Sequence, residues 1–97
     1  MVDKIEKNQI CALLDEKKGW HVDNNGLYIE KVWEFANFQM AFSFMMRVAF
    51  LSENMNHHPE WSNMYNRVFI RLTTHESNGV SLKDINLAQQ IDGILGD

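Results

Sequence analysis

Apolar residues recur along this chain with two different periods, and the changes between them mark out its elements. From Asp3 to Lys18, Ile5, Ile10, Leu13 and Leu14 stand among charges, as in a short amphipathic helix. Gly19 ends it, since glycine accepts a left-handed cap without steric cost. Two extended runs, Trp20-His21-Val22-Asp23 and Leu27 to Phe35, then flank Asn24-Asn25-Gly26. An Asn-Gly pair there signals a hairpin, because both residues accept positive φ. Leu27, Ile29, Trp33 and Phe35 share one face of the second run, and Lys31 breaks the pattern. Asn37 suits a helix N-cap. After it, Phe38, Ala41, Phe42, Met45, Val48, Ala49, Ser52 and Met55 recur at three- and four-residue steps. This is a long helix with a wide buried stripe, its Phe and Met residues assigned to the core. It should stop at or before His57, since Pro59 pushes its predecessor out of the α region. Trp61 to Tyr65 and Arg67 to Thr74 read as strands joined at Asn66. In the second, Val68, Ile70 and Leu72 alternate with Arg67, Phe69 and Arg71, the clearest two-residue period in the chain. Ser77-Asn78-Gly79 is a turn. Ser81-Leu82-Lys83-Asp84 fits a capping box, and Leu82, Ile85, Ala88, Ile91 and Leu95 give a last helix its apolar side.

The order is helix, strand, strand, helix, strand, strand, helix. Two hairpins favour an antiparallel sheet, and strands that alternate have one covered face. The expected fold is therefore α+β: a two-layer sandwich of a four-stranded antiparallel sheet with three helices on one face. Ninety-seven residues allow one domain, 1–97, with no repeat or linker in it. A chain this short buries only about 60–65% of the surface it exposes when unfolded, so self-association is a natural source of stability. Nine Lys and Arg against 13 Asp and Glu give a net charge of −4. With no basic run, a direct nucleic-acid or anionic-membrane partner is not expected. The greasiest stretch, Ala41 to Leu51, contains Arg47 and is too short to span a bilayer. Met1 to Lys7 has no apolar signal core, and Cys11 is the single cysteine, so the expected location is cytoplasmic. Cys11 itself reads as a small buried or half-buried helix residue.

Three of the four histidines fall near predicted element ends, His57 and His58 after the long helix and His75 after the best strand. Histidine, with an unperturbed pKa of about 6.5, gives and takes protons near neutrality. If the two loops meet, three imidazoles surround one small volume, with Glu53, Asn56, Trp61, Thr73 and Thr74 around it. Each residue also has a plainer reading. The histidine pair suits a solvated loop, Trp61 suits the core, and His21 reads as structural or exposed. Asp84 has a full structural task in its capping box. A zinc or iron site is disfavoured, because neighbouring His57 and His58 diverge and no H-x-x-x-H or H-x-H spacing occurs. Neither a nucleophile elbow nor a glycine-rich phosphate loop is present.

Glu53-Asn54-Met55-Asn56-His57-His58-Pro59-Glu60-Trp61, then Tyr65-Asn66, Thr74-His75-Glu76, Gly79-Val80-Ser81 and Lys83-Asp84, resembles the pterin-4a-carbinolamine dehydratase family. The likeness runs from Gly19-Trp20 to Ile91-Asp92 and is loose before Gly19. It implies the same α+β fold, in dimers or tetramers, with neither metal nor cofactor. It also implies loss of water from a 4a-hydroxytetrahydropterin to give the quinonoid dihydropterin, which recycles the cofactor of aromatic amino acid hydroxylases. Under the resemblance, His57 and His75 are the acid and base candidates. His58 would bind and orient the pterin and share proton work, and Asp84 would hold a histidine tautomer. Glu53, Asn56, Trp61, Thr73, Thr74 and Glu76 would line the substrate site. Two other functions stand beside this one. A dimerisation partner of a regulatory protein, without relevant turnover, would need an exposed apolar helix face. A metal hydrolase would need bound metal.

Overall fold

A computed structural model describes residues 3–96. Its elements are α1 (Lys7–Leu13), β1 (His21–Val22), β2 (Ile29–Glu34), α2 (Phe38–Met55), β3 (Glu60–Met64), β4 (Arg67–Leu72) and α3 (Leu82–Ile94), with short 3-10 turns at Glu16–Lys18 and His75–Ser77. All four strands pair antiparallel, in the order β1-β2-β4-β3. The expected α+β arrangement is therefore the observed one. No helix among the described residues is long and apolar enough to cross a membrane.

The two-residue period of β4 is realised without exception. Val68, Ile70 and Leu72 are fully buried, while Arg67, Phe69 and Arg71 face away from the core. On β2, Ile29 and Trp33 point inward with them. Leu27, expected on that face, lies before the strand and is exposed. Lys31 also points inward. Its ammonium lies 3.7 Å from Asp92 of α3 and over the Trp33 ring. Asp92 in turn accepts from the Trp20 indole N–H at 3.0 Å. The pattern-breaking lysine is thus one end of a polar clasp between α3 and the sheet. Burial, the largest influence, pushes the Asp92 carboxyl above the usual carboxylate range, against the Trp20 hydrogen bond and the Lys31 charge.

The helices depart from expectation in detail. The first is shorter than Asp3–Lys18: α1 ends at Leu13, Leu14 is extended, and a 3-10 turn follows. The Asp15 carboxylate accepts from Lys17 N–H and caps this second turn, a side-chain bond that competes with continuing the helix. Gly19, at φ 83°, ends that turn. Leu13 and Cys11, on the outer side of α1, are exposed rather than buried. On α2 the covered stripe is Ala41, Phe44, Val48 and Ser52, with Met45, Leu51 and Met55 packed beside it. Phe38 and Phe42 are not core residues. With Met46 and Phe50 they form a second row at four-residue steps, 45–66% exposed. On α3, Leu82 and Leu95 are exposed, while Leu87 joins Ile85, Ala88 and Ile91 inside. The β3–β4 turn puts its positive φ on Tyr65 rather than Asn66. Asn63 Nδ2 braces the turn by donating to the Tyr65 and Arg67 carbonyls.

The segment before α1 is tied to the loop before α3. Ile5 N–H donates to the Val80 carbonyl, and Val80 N–H donates to the Gly26 carbonyl of the β1–β2 turn, both at 2.9 Å. At this crossing a Cβ on Gly79 would come within 2.7 Å of the Gly26 oxygen and 2.6 Å of Lys4 Cε. Only glycine fits there.

Candidate active site

Two helix ends and one loop build the site. Asn37 caps the start of α2 by accepting from Met40 N–H, and Asn56 ends it in the left-handed region at φ 51°. That reversal comes just before His57, as Pro59 requires, and His57 N–H closes it on the Ser52 carbonyl. His57 and His58 then diverge. The His57 ring is 11% exposed, and its Nε2 lies 2.6 Å from Asp84 Oδ1. The His58 ring is 54% exposed and pairs through Nε2 with the exposed Glu53 carboxylate, also at 2.6 Å.

Asp84 arrives from the first turn of α3. The capping box is present in both halves, with Ser81 as N-cap. Asp84 is fully buried all the same. Its Oδ2 accepts from Ser81 N–H at 3.0 Å and from the Thr74 hydroxyl at 2.7 Å, and Oδ1 is left for His57. Asp84 therefore makes both contacts at once: one oxygen serves the helix end and the other meets the His57 imidazole.

The loop 74–79 carries the third histidine. Thr74 and Gly79 exchange backbone hydrogen bonds across it, and Asn78, at φ 58°, turns the chain. His75 and Glu76 stand exposed on the intervening 3-10 turn. A hydrogen bond from its own backbone N–H, and next the Lys83 ammonium, hold the Glu76 carboxyl below the usual carboxylate range. The nearby His57 and His75 rings act in the same direction. Glu76 thus lies within electrostatic reach of His57 as well as of its chain neighbour His75.

The remaining expected residues occupy different layers. Trp61 is half-buried on β3, opposite Ile70, against the core. The Thr73 hydroxyl donates to the Leu27 carbonyl at 2.6 Å, tying the end of β4 to the β1–β2 turn. Thr74 is buried, beneath the surface that His57 presents. His21 is exposed on β1, away from this cluster of contacts. Two neighbours of these groups stand in the family motifs and the capping box without an expected site role: Ser81 bonds the Thr74 hydroxyl at 2.7 Å, and Lys83 lies near Glu76. Their membership of the capping box that holds Asp84 was the available signal.

Imidazoles of two loops thus stand beside carboxylates, one of them buried and hydrogen-bonded at both oxygens, on a small α+β domain. The chain belongs to the pterin 4 alpha carbinolamine dehydratase family, whose model matches residues 3–94. A protein of Prochlorococcus marinus (strain NATL2A), named "Putative pterin-4-alpha-carbinolamine dehydratase", is 46% identical over 95 residues and 98% of each chain. One of the same name from Solibacter usitatus (strain Ellin6076) is 44% identical over 97% of each. The crystal structure of a "transcriptional coactivator/pterin dehydratase" from Brucella melitensis superposes with a TM-score of 0.85 at 36% identity, over 97% of this chain and 100% of that one.

Proposed function

We propose that this chain removes water from a 4a-hydroxytetrahydropterin to give the quinonoid dihydropterin, by general acid–base catalysis, in service of aromatic amino acid hydroxylases. The substrate carries a hydroxyl on C4a and a hydrogen on N5. Loss of water needs one proton delivered to the departing hydroxyl and one taken from N5, so protons balance without metal or redox cofactor. His57 and His75 are the pair for this exchange. His58, held by Glu53, binds and orients the ring, and Glu53, Asn56, Trp61, Thr73 and Glu76 line the site. Thr74 supports it from below.

The supporting observation is the 2.6 Å contact between His57 and a carboxylate 27 residues away that solvent does not reach. An imidazole so held is fixed in orientation, as proton transfer requires. The test follows the absorbance of enzymatically generated 4a-hydroxypterin with and without the protein. Accelerated decay is expected, and unchanged decay overturns the assignment.

A second reading, as a binding protein of the coactivator type, draws on the row Phe38, Phe42, Met46 and Phe50, an apolar patch that water does not favour. We assign this row to self-association into a dimer or tetramer, in the cytoplasm. A monomeric mass in sedimentation would instead turn the row over to a regulatory partner.

A further inference from the structure

We propose that Thr74 and Ser81 are positioning residues for this site. They form a one-way chain of hydrogen bonds that ends on Asp84 and places the proton of the His57–Asp84 pair on His57 Nε2, leaving Nδ1 bare. The proposal rests on the dehydratase reading of the site and adds to it the direction of every proton behind His57.

The direction follows from counting hydrogens, starting at backbone N–H groups whose protons cannot turn. Lys83 N–H points at Ser81 Oγ, at 3.3 Å. Asp84 N–H, the other half of the capping box, points at the same Oγ, whose remaining partner is Thr74 Oγ1, at 2.7 Å. The two N–H groups fill both acceptor positions of that hydroxyl, so its one hydrogen goes to Thr74. Thr74, already accepting, sends its own hydrogen to its remaining partner, Asp84 Oδ2, at 2.7 Å. The same oxygen takes Ser81 N–H at 3.0 Å. With two donors aimed at it, Oδ2 carries no proton. A single proton then remains between Asp84 Oδ1 and His57 Nε2 across 2.6 Å. A carboxylate whose other oxygen already receives two donors is stabilised as the ion, so this proton sits on nitrogen. The positive end of the α3 dipole favours the same ionised carboxylate. No buried side-chain nitrogen or oxygen among the described residues lacks a partner, so no unpaired group competes to reverse the chain.

This arrangement exceeds what a helix cap needs. Capping asks Ser81 Oγ only to accept. Its onward donation to Thr74, and Thr74's to Asp84, serve nothing but the carboxylate under His57. The neutral ring meets a substrate with a lone pair on Nδ1 and can only accept a proton there.

The experiment is nitrogen-15 NMR of the histidine rings in substrate-free protein in alkaline buffer, with steady-state turnover measured alongside. In the wild type, His57 is expected as a single Nε2–H tautomer. In Thr74→Val, which keeps the side-chain shape and loses the hydroxyl, an Nδ1–H population appears. That variant's kcat falls roughly tenfold with KM little changed, a fraction of the 10²–10⁴ that a positioned acid–base group supplies. Thr74→Ser restores both readings, and Ser81→Thr, which keeps the cap and the hydroxyl, resembles the wild type. A wild-type Nδ1–H signal overturns the proposal, and so does an unchanged single tautomer in folded Thr74→Val. The wild-type spectrum decides even if Thr74→Val fails to fold. The spectra need no substrate, so absent turnover by the wild type would sink the dehydratase reading separately.

Discussion

At the scale of single residues, the site divides its histidines by what stands behind them. His57 is backed by a buried carboxylate, His58 by an exposed one, and His75 shares with His57 the neighbourhood of Glu76. If His57 and His75 handle the two protons as a unit, His57→Ala and His75→Ala each lower turnover at least about tenfold, and the double variant loses far less than the product of the singles. Normal turnover by the double variant removes this mechanism. Asp84→Asn is expected to lower kcat and melting temperature together, because one carboxylate serves ring and helix end. A buried donor–acceptor mismatch costs about 1–3 kcal/mol, and each ~1 kcal/mol is roughly 4–8 °C for a domain of this size. A lowered melting temperature with intact kcat would confine Asp84 to the cap. Much of this was visible in the sequence as residue types at loop positions: the histidine doublet before a proline, the lone His75, the acidic residue of a capping box. The layering was not. Nothing in the order of letters says that the Thr74 hydroxyl turns to Asp84 and that of Thr73 to Leu27, because the strand ends between Leu72 and them.

At the scale of elements, strands were easier to read than helices, for a geometric reason. A strand has two faces, so alternation fixes which residues are inside once one is known, and β4 obeys it throughout. A helix with apolar residues most of the way round has several rows at three- and four-residue steps. Periodicity alone cannot choose between Ala41, Phe44, Val48 and Ser52, which cover the sheet, and Phe38, Phe42, Met46 and Phe50, which do not. The long first helix failed for another reason: its apolar period stops at Leu14, and the charged run to Lys18 passes for its continuation, whereas Asp15 starts a new cap. The outer row of α2 carries its own prediction. Phe50 is 66% exposed, and a change at such a position ordinarily alters stability by within about ±0.5 kcal/mol. Phe50→Glu should therefore leave the folded subunit intact and lower the mass in sedimentation equilibrium. An unchanged oligomeric mass excludes this row from the interface.

At the scale of the whole molecule, two ties hold the helical layer to the sheet away from the chemistry. One is the clasp of Lys31, Asp92 and Trp20. Because the folded protein holds Asp92 above its ordinary value of 3.8, it binds more protons there than the unfolded chain does. Stability from this group is therefore fully present below that value and is lost as pH rises through the raised one. Asp92→Asn should flatten this part of the decline in denaturation midpoints measured upward from pH about 4. An unaltered slope would mean that the carboxyl titrates as in the unfolded chain.

The other tie is the crossing of Ile5, Val80 and Gly26 at Gly79. It lashes the start of the described chain to the very loop that presents His75 and leads into Ser81. Cutting the peptide bond after Ile5 removes no group that handles protons, yet it slackens the support of two that do. In a limited-digestion time course, turnover should then decay in step with loss of the intact leading segment, so that a protease acting far along the chain from His57, His58 and His75 behaves as an inactivator.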